Sequence, residues 1–255
     1  MGQYWTINNI DKAQNTGHLG RLGELFFDLR PVEILYLLAI PLVPIDSSAS
    51  TLDDRDVILP GTWAGDRIIA LGDYAEDWPI GAFVQEDFGR VGPRATFDNT
   101  VPQEFVWTCS KKRLFHCANE EEAYPQDRVW VLRNLTKKVY VRSNRVPDEV
   151  EEGKLSYGSP AFDGRIPGLA QIMLGRIAWS SDPMINMEYN KNEDITRGTW
   201  AGDRLDVRLF ETVREDMKAD GWQDVSRAEA ERLYQIWLVD GFGGGCLPDD
   251  PVEDD

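Results

Sequence analysis

The sequence predicts an α+β fold made of two diverged copies of one hairpin–helix–strand unit arranged with pseudo-twofold symmetry. Three observations carry that expectation. The heptamer Gly61-Thr62-Trp63-Ala64-Gly65-Asp66-Arg67 recurs letter for letter from Gly198 to Arg204. Upstream of each copy lies a matching segment in which Trp5 aligns with Trp130, Asn9 with Asn134 and Lys12 with Lys137. Strand and helix patterns are mixed along the chain without regular βαβ alternation.

The elements follow in order. Tyr4 to Ile10 alternates as a strand, and a glycine-rich turn (Gly17, Gly20, Gly23) leads to a helix from about Pro31 to Ala39. Pro31 suits the first helical position and Pro41 ends the run. A polar loop covers Ile45 to Asp56, and the first heptamer leads into a short buried strand, Ile68 to Leu71. Phe105 to Cys109 and Arg113 to Cys117 read as a hairpin about Ser110–Lys112. In the second copy, Val129–Arg133 and Val139–Arg142 alternate about the turn Asn134–Lys138. A helix is expected from Pro167 to Ile177, and a strand from Leu205 to Leu209 after the second heptamer. Ser226 with Glu229 has the S-x-x-E spacing of a capping box, followed by Ala230, Leu233, Tyr234, Trp237 and Leu238 at helical intervals. The expected organisation is residues 1–120 for the first α+β repeat, 124–242 for the second, and 243–255 as a flexible acidic tail.

Composition narrows the function. The chain has 255 residues with 27 basic and 44 acidic side chains, a net charge of −17. Runs at Glu120–Glu122, Asp148–Glu152 and Asp249–Asp255 concentrate that acidity in what read as solvated loops and tail. A groove that follows a phosphate backbone needs a clustered basic face, so nucleic acid is an unfavoured partner. Three cysteines (Cys109, Cys117, Cys246) argue against a disulfide scaffold and for a reducing, cytoplasmic or nuclear setting. The longest apolar stretch, Ile34 to Val43, is broken by Pro41 and is too short for a bilayer, so no membrane partner is expected.

The candidate ligand-binding residues are those of the heptamers: Trp63, Asp66, Arg67, Trp200, Asp203 and Arg204. An indole offers a flat face, a carboxylate accepts hydrogen bonds, and a guanidinium holds an anion through two donors. The same residues have a purely structural reading, with tryptophan in the core and aspartate and arginine fixing a turn. Other constellations point to little. Cys109, His116 and Cys117 lack the paired spacing of a zinc site. Asp54-Arg55-Asp56 reads as a solvated turn, and Met1-Gly2 fits an acylation pattern only formally, since Trp5 aligns with an internal tryptophan. No cofactor and no metal are implied.

The segments Met1–Lys12, Val131–Lys138, Ile177–Pro183, Arg197–Arg204 and Gly221–Ser226 resemble a group of fungal proteins of unknown function, over most of the chain. Some members of that group carry an F-box designation, which implies that this chain corresponds to the recognition part beyond an F-box. The resemblance brings no catalytic residue. The resulting expectation is an intracellular binding module for a protein or small-molecule ligand. The alternative is an enzyme on a small molecule, with Asp66 or Asp203 as acid or base and an arginine as anion clamp.

Overall fold

The computed structural model describes residues 3–27, 30–46, 57–84, 110–111, 113–114, 119–125, 127–146, 168–180 and 195–238. The fold is mixed α+β. A five-stranded sheet contains β1 (Trp5–Asn9), β2 (Gln14–Asn15), β4 (Ile68–Gly72), β5 (Ser110–Lys111) and β9 (Ala178–Trp179), in the order β5-β2-β1-β4-β9. A four-stranded sheet contains β7 (Trp130–Asn134), β8 (Val139–Arg142), β10 (Leu205–Leu209) and β11 (Gln223–Asp224), in the order β10-β7-β8-β11. A third, two-stranded sheet pairs β3 (Val57–Ile58) with β6 (Arg113–Leu114). The helices are α1 (Leu22–Phe27), α2 (Arg30–Leu38), α3 (Glu120–Ala123), α4 (Leu169–Ile177), α5 (Phe210–Ala219) and α6 (Ser226–Leu238).

The two larger sheets use the same registers. β1 meets β4 with Asn9 opposite Ile68 and Trp5 opposite Gly72; β7 meets β10 with Asn134 opposite Leu205 and Trp130 opposite Leu209. The hairpins also agree, Asn9 facing Gln14 and Asn134 facing Val139. Each turn passes through a non-glycine residue at positive φ, Ala13 at 49° and Lys138 at 54°. Beyond each hairpin a short parallel strand is added, β5 against β2 and β11 against β8.

The helices cross between sheets. Residues leaving α4 form β9 and pair with β4, Ala178 opposite Ala70. Residues leaving α2 bridge to β10, Ala39 opposite Val207, and Ile40 N–H donates to Val207 O at 2.9 Å. Each helix therefore ends on the sheet nucleated by the other half of the chain. The main apolar core is shared as a result: Trp5, Ile7, Trp63 and Ala70 belong to the same buried cluster as Trp130, Leu132, Trp200 and Val207, with α2 and α4 packed among them, beside two smaller clusters. Burying side chains of this size supplies the main driving force, about 25 cal/mol for each Å² of apolar area removed from water.

Two expectations need correcting. Ser110–Lys111, expected within the turn of a hairpin, is instead a strand on β2, and Arg113–Leu114 joins β3; the expected first strand, Phe105–Cys109, lies outside the described residues. The remainder of that stretch lies outside the described residues, as do Asp54–Asp56, Met1–Gly2, Cys109, His116, Cys117 and the tail 243–255. Ser226 and Glu229 do not form the expected capping box either. Asp224 Oδ1 accepts from Ser226 N–H at 2.9 Å, and Glu229 is taken by arginines: Arg176 Nε and Nη2 donate to it at 2.7 and 2.6 Å. A buried guanidinium outcompetes a backbone amide for that carboxylate because both partners are charged. Among the described residues no helix is long and apolar enough to cross a membrane.

Candidate functional site

The two heptamers meet antiparallel, with Arg67 bridged to Arg204. Gly65 N–H donates to Leu205 O at 2.8 Å, and Gly202 N–H donates to Ile68 O at 2.9 Å. Leu205 N–H donates to Asp66 O at 3.2 Å, and Ile68 N–H donates to Asp203 O at 3.1 Å. Inside each heptamer the tryptophan carbonyl accepts from the aspartate N–H, at 3.1 Å in the first and 2.9 Å in the second. That turn needs positive φ at its third residue, and Gly65 and Gly202 both stand at 82°. Each tryptophan N–H also donates to the last turn of the helix before it, Trp63 to Leu37 O at 2.9 Å and Trp200 to Arg176 O at 2.8 Å. These bonds use carbonyls that a helix end leaves without an intrahelical partner.

The candidate residues fall into three environments. Trp63 and Trp200 are core residues, 0% and 3% exposed, and Trp63 Nε1 donates to Gln14 Oε1 at 2.9 Å. Their faces are covered by the chain's own side chains, so neither indole presents a stacking surface.

Asp66 and Asp203 are tied into matching sets. Asn9 Nδ2 donates to Asp66 Oδ2 at 2.7 Å, and Asn134 Nδ2 donates to Asp203 Oδ2 at 2.7 Å. Lys12 Nζ and Lys137 Nζ complete ion pairs to the same oxygens. The asparagine acts twice, since its Oδ1 also accepts from the lysine N–H at 2.9 Å in both halves. Each heptamer is thus latched to the hairpin turn that its sheet began with.

Arg67 and Arg204 part company. Asp11 receives Arg67 through the backbone N–H at 2.9 Å, Nε at 2.9 Å and Nη2 at 2.6 Å, while Nη1 donates to Ala82 O at 3.1 Å. In the second copy the place of Asp11 is held by Thr136, whose Oγ1 accepts from Arg204 N–H at 3.0 Å. Arg204 sends Nη1 across the junction to Asp11 Oδ2 at 2.8 Å and to Gly65 O at 2.9 Å. The Arg67 side chain is 13% exposed and that of Arg204 is 47% exposed. Burial alone would raise the pKa of Asp11, but its bonds to Arg67 and the charges of Arg67 and Arg204 outweigh that and hold the carboxyl below its ordinary value.

Sequence reasoning singled out six heptamer residues and missed the partners that decide their roles: Asn9, Asp11, Lys12, Asn134, Thr136 and Lys137. The aligned Asn-x-x-Lys pairs were the available signal. Among the described residues no group of three or more His, Cys, Asp or Glu is placed to hold a metal ion. No family model, no curated protein and no solved structure matches the chain.

Proposed function

We propose that this chain is an intracellular binding module, two copies of one unit about a pseudo-twofold axis between the heptamers, and that it recognises a protein. The matching registers, turns and Asn–Lys–Asp sets support the duplication. The carboxylates required by the enzymatic alternative, Asp66 and Asp203, are each paired with an ammonium and held by an amide, which favours a latch role over that alternative.

One observation carries the choice of a protein partner. Segment 72–84 is anchored by packing of Trp78 against Phe83, ring centroids 3.9 Å apart, and by Trp179 Nε1 donating to Asp77 O at 2.9 Å. Between these anchors Pro79 O accepts from Ala82 N–H at 3.1 Å, and the turn so closed holds Ile80 fully exposed. Tyr74 and Val84, on the same segment, are also exposed. A β-branched apolar side chain displayed on an anchored turn fits an apolar pocket of a partner at little ordering cost. The test is quantitative cross-linking mass spectrometry in cell extract with wild type and Ile80→Asp. The expected result is a defined partner, cross-linked through segment 72–84, that the variant loses. Identical cross-linked sets for the two proteins would sink the reading.

A further inference from the structure

We infer that the Nε and Nη2 edge of Arg204 is a binding site for a carboxylate supplied from outside the chain. The inference deepens the binding-module reading and rests on it. Its basis is a comparison of the two heptamer arginines, which occupy the same place in identical motifs. In the first copy, Asp11 performs two tasks: Oδ2 accepts the Arg67 backbone N–H, and Oδ1 receives Nε and Nη2. In the second copy, Thr136 performs only the first task, accepting the Arg204 backbone N–H. A threonine has no second oxygen with which to fill the guanidinium edge.

Arg204 is nevertheless held in a set orientation. Its Nη1 is fixed by Asp11 Oδ2 and Gly65 O, and no acceptor among the described residues meets its Nε or Nη2. A guanidinium oriented by one nitrogen on a side chain 47% exposed, with its paired Nε–H and Nη2–H donors not engaged by the described residues, matches the two oxygens of a carboxylate and loses little freedom on binding. The occupant is assigned as a carboxylate because that is the group seated on the equivalent edge of Arg67. Two sources share this chemistry, a small dicarboxylic acid and an acidic side chain of a peptide.

The test follows the side-chain Nε–H resonance of Arg204 in the ¹⁵N-labelled full chain, assigned by its disappearance in Arg204→Lys. Sodium succinate, an acetylated tetraglutamate peptide and inorganic phosphate are titrated separately at constant ionic strength. A saturable shift with succinate identifies a small-acid site; saturation only with the peptide identifies a peptide carboxylate. Thr136→Asp supplies the missing internal carboxylate, so it is expected to weaken binding at least about tenfold while the protein melts no lower than wild type. Arg204→Lys keeps the charge but removes the paired donors; followed through the backbone amide of residue 204 instead, it is expected to show a loss of similar size. The inference is overturned by no saturable shift with either carboxylate, by saturation with phosphate alone, or by wild-type affinity in Thr136→Asp. The cross-linking comparison reads segment 72–84 and these titrations read Arg204, so failure here and failure of the protein-contact reading are separable.

Discussion

Asp11 Oδ2 accepts from Arg204 Nη1 at 2.8 Å, joining positions 193 residues apart at the junction of the two heptamers. The same carboxylate secures Arg67, so one side chain is shared by two guanidinium groups and ties the halves together. Asp11→Asn should destabilise the protein by about 2 kcal/mol at neutral pH, because it leaves a largely buried Arg67 without its counter-charge. Urea unfolding of the two proteins measures this.

The same pair sets a pH dependence. The folded-state pKa of Asp11 is depressed, so its contribution is complete above the ordinary carboxylate range. It is lost as pH falls through that range and then through the lower folded-state value. The stability gap between wild type and Asp11→Asn should therefore close on acidification. A gap unchanged from neutral to strongly acidic solution would contradict the role given to Asp11.

Asp66→Asn and Asp203→Asn remove equivalent ion pairs. Both carboxylates are partly shielded and their lysines are substantially exposed, so each loss should be modest, about 1 kcal/mol. The two deficits should agree within about 0.5 kcal/mol in denaturant titrations if the latches are equivalent.

How much of this was legible beforehand depended on periodicity. The strands at Leu205–Leu209 and Val139–Arg142 were readable because their apolar residues alternate, and the helix ending at Ile177 because an apolar run follows Pro167, although it is buried at nearly every position. β2 and β11 were not, since Gln14–Asn15 and Gln223–Asp224 are two-residue polar strands that join a sheet through backbone alone. Helix α5 was missed for another reason: only Val213 and Met217 are buried in it, a stripe too narrow to stand out among its charged residues. At the heptamers the tryptophans' structural role was one of two open readings. The contrast between Asp11 and Thr136 stayed hidden because it appears only when the hairpin turns are laid beside the heptamers in space.

Gly198→Ala should be among the most damaging small substitutions. A Cβ there would fall inside 3.0 Å of the Arg176 carbonyl, which cannot move without unwinding the end of α4. A loss of about 3 kcal/mol or more is expected from such a backbone clash. Thermal melting with circular dichroism is sufficient to detect it.

Glu229→Ala tests the contact between α4 and α6. It strips Arg176 of a bidentate partner and removes the acceptor of Arg232 Nε at 3.2 Å. Truncating one member of a buried charge cluster costs about 3 kcal/mol. Hydrogen exchange should show α6 amides losing protection before those of β7 and β10.

The handover of Ala39 to β10 and of Ala178 to β4 has a consequence for ancestry and for folding alike. A half-length polypeptide of this design would leave its inner strand with an open margin that its own helix, directed elsewhere, does not reach. Only reciprocal exchange with an identical molecule would close it. On the proposed duplication, a half-length chain would close that margin only by exchange with a second copy, at a cost in concentration dependence that a single fused chain does not carry.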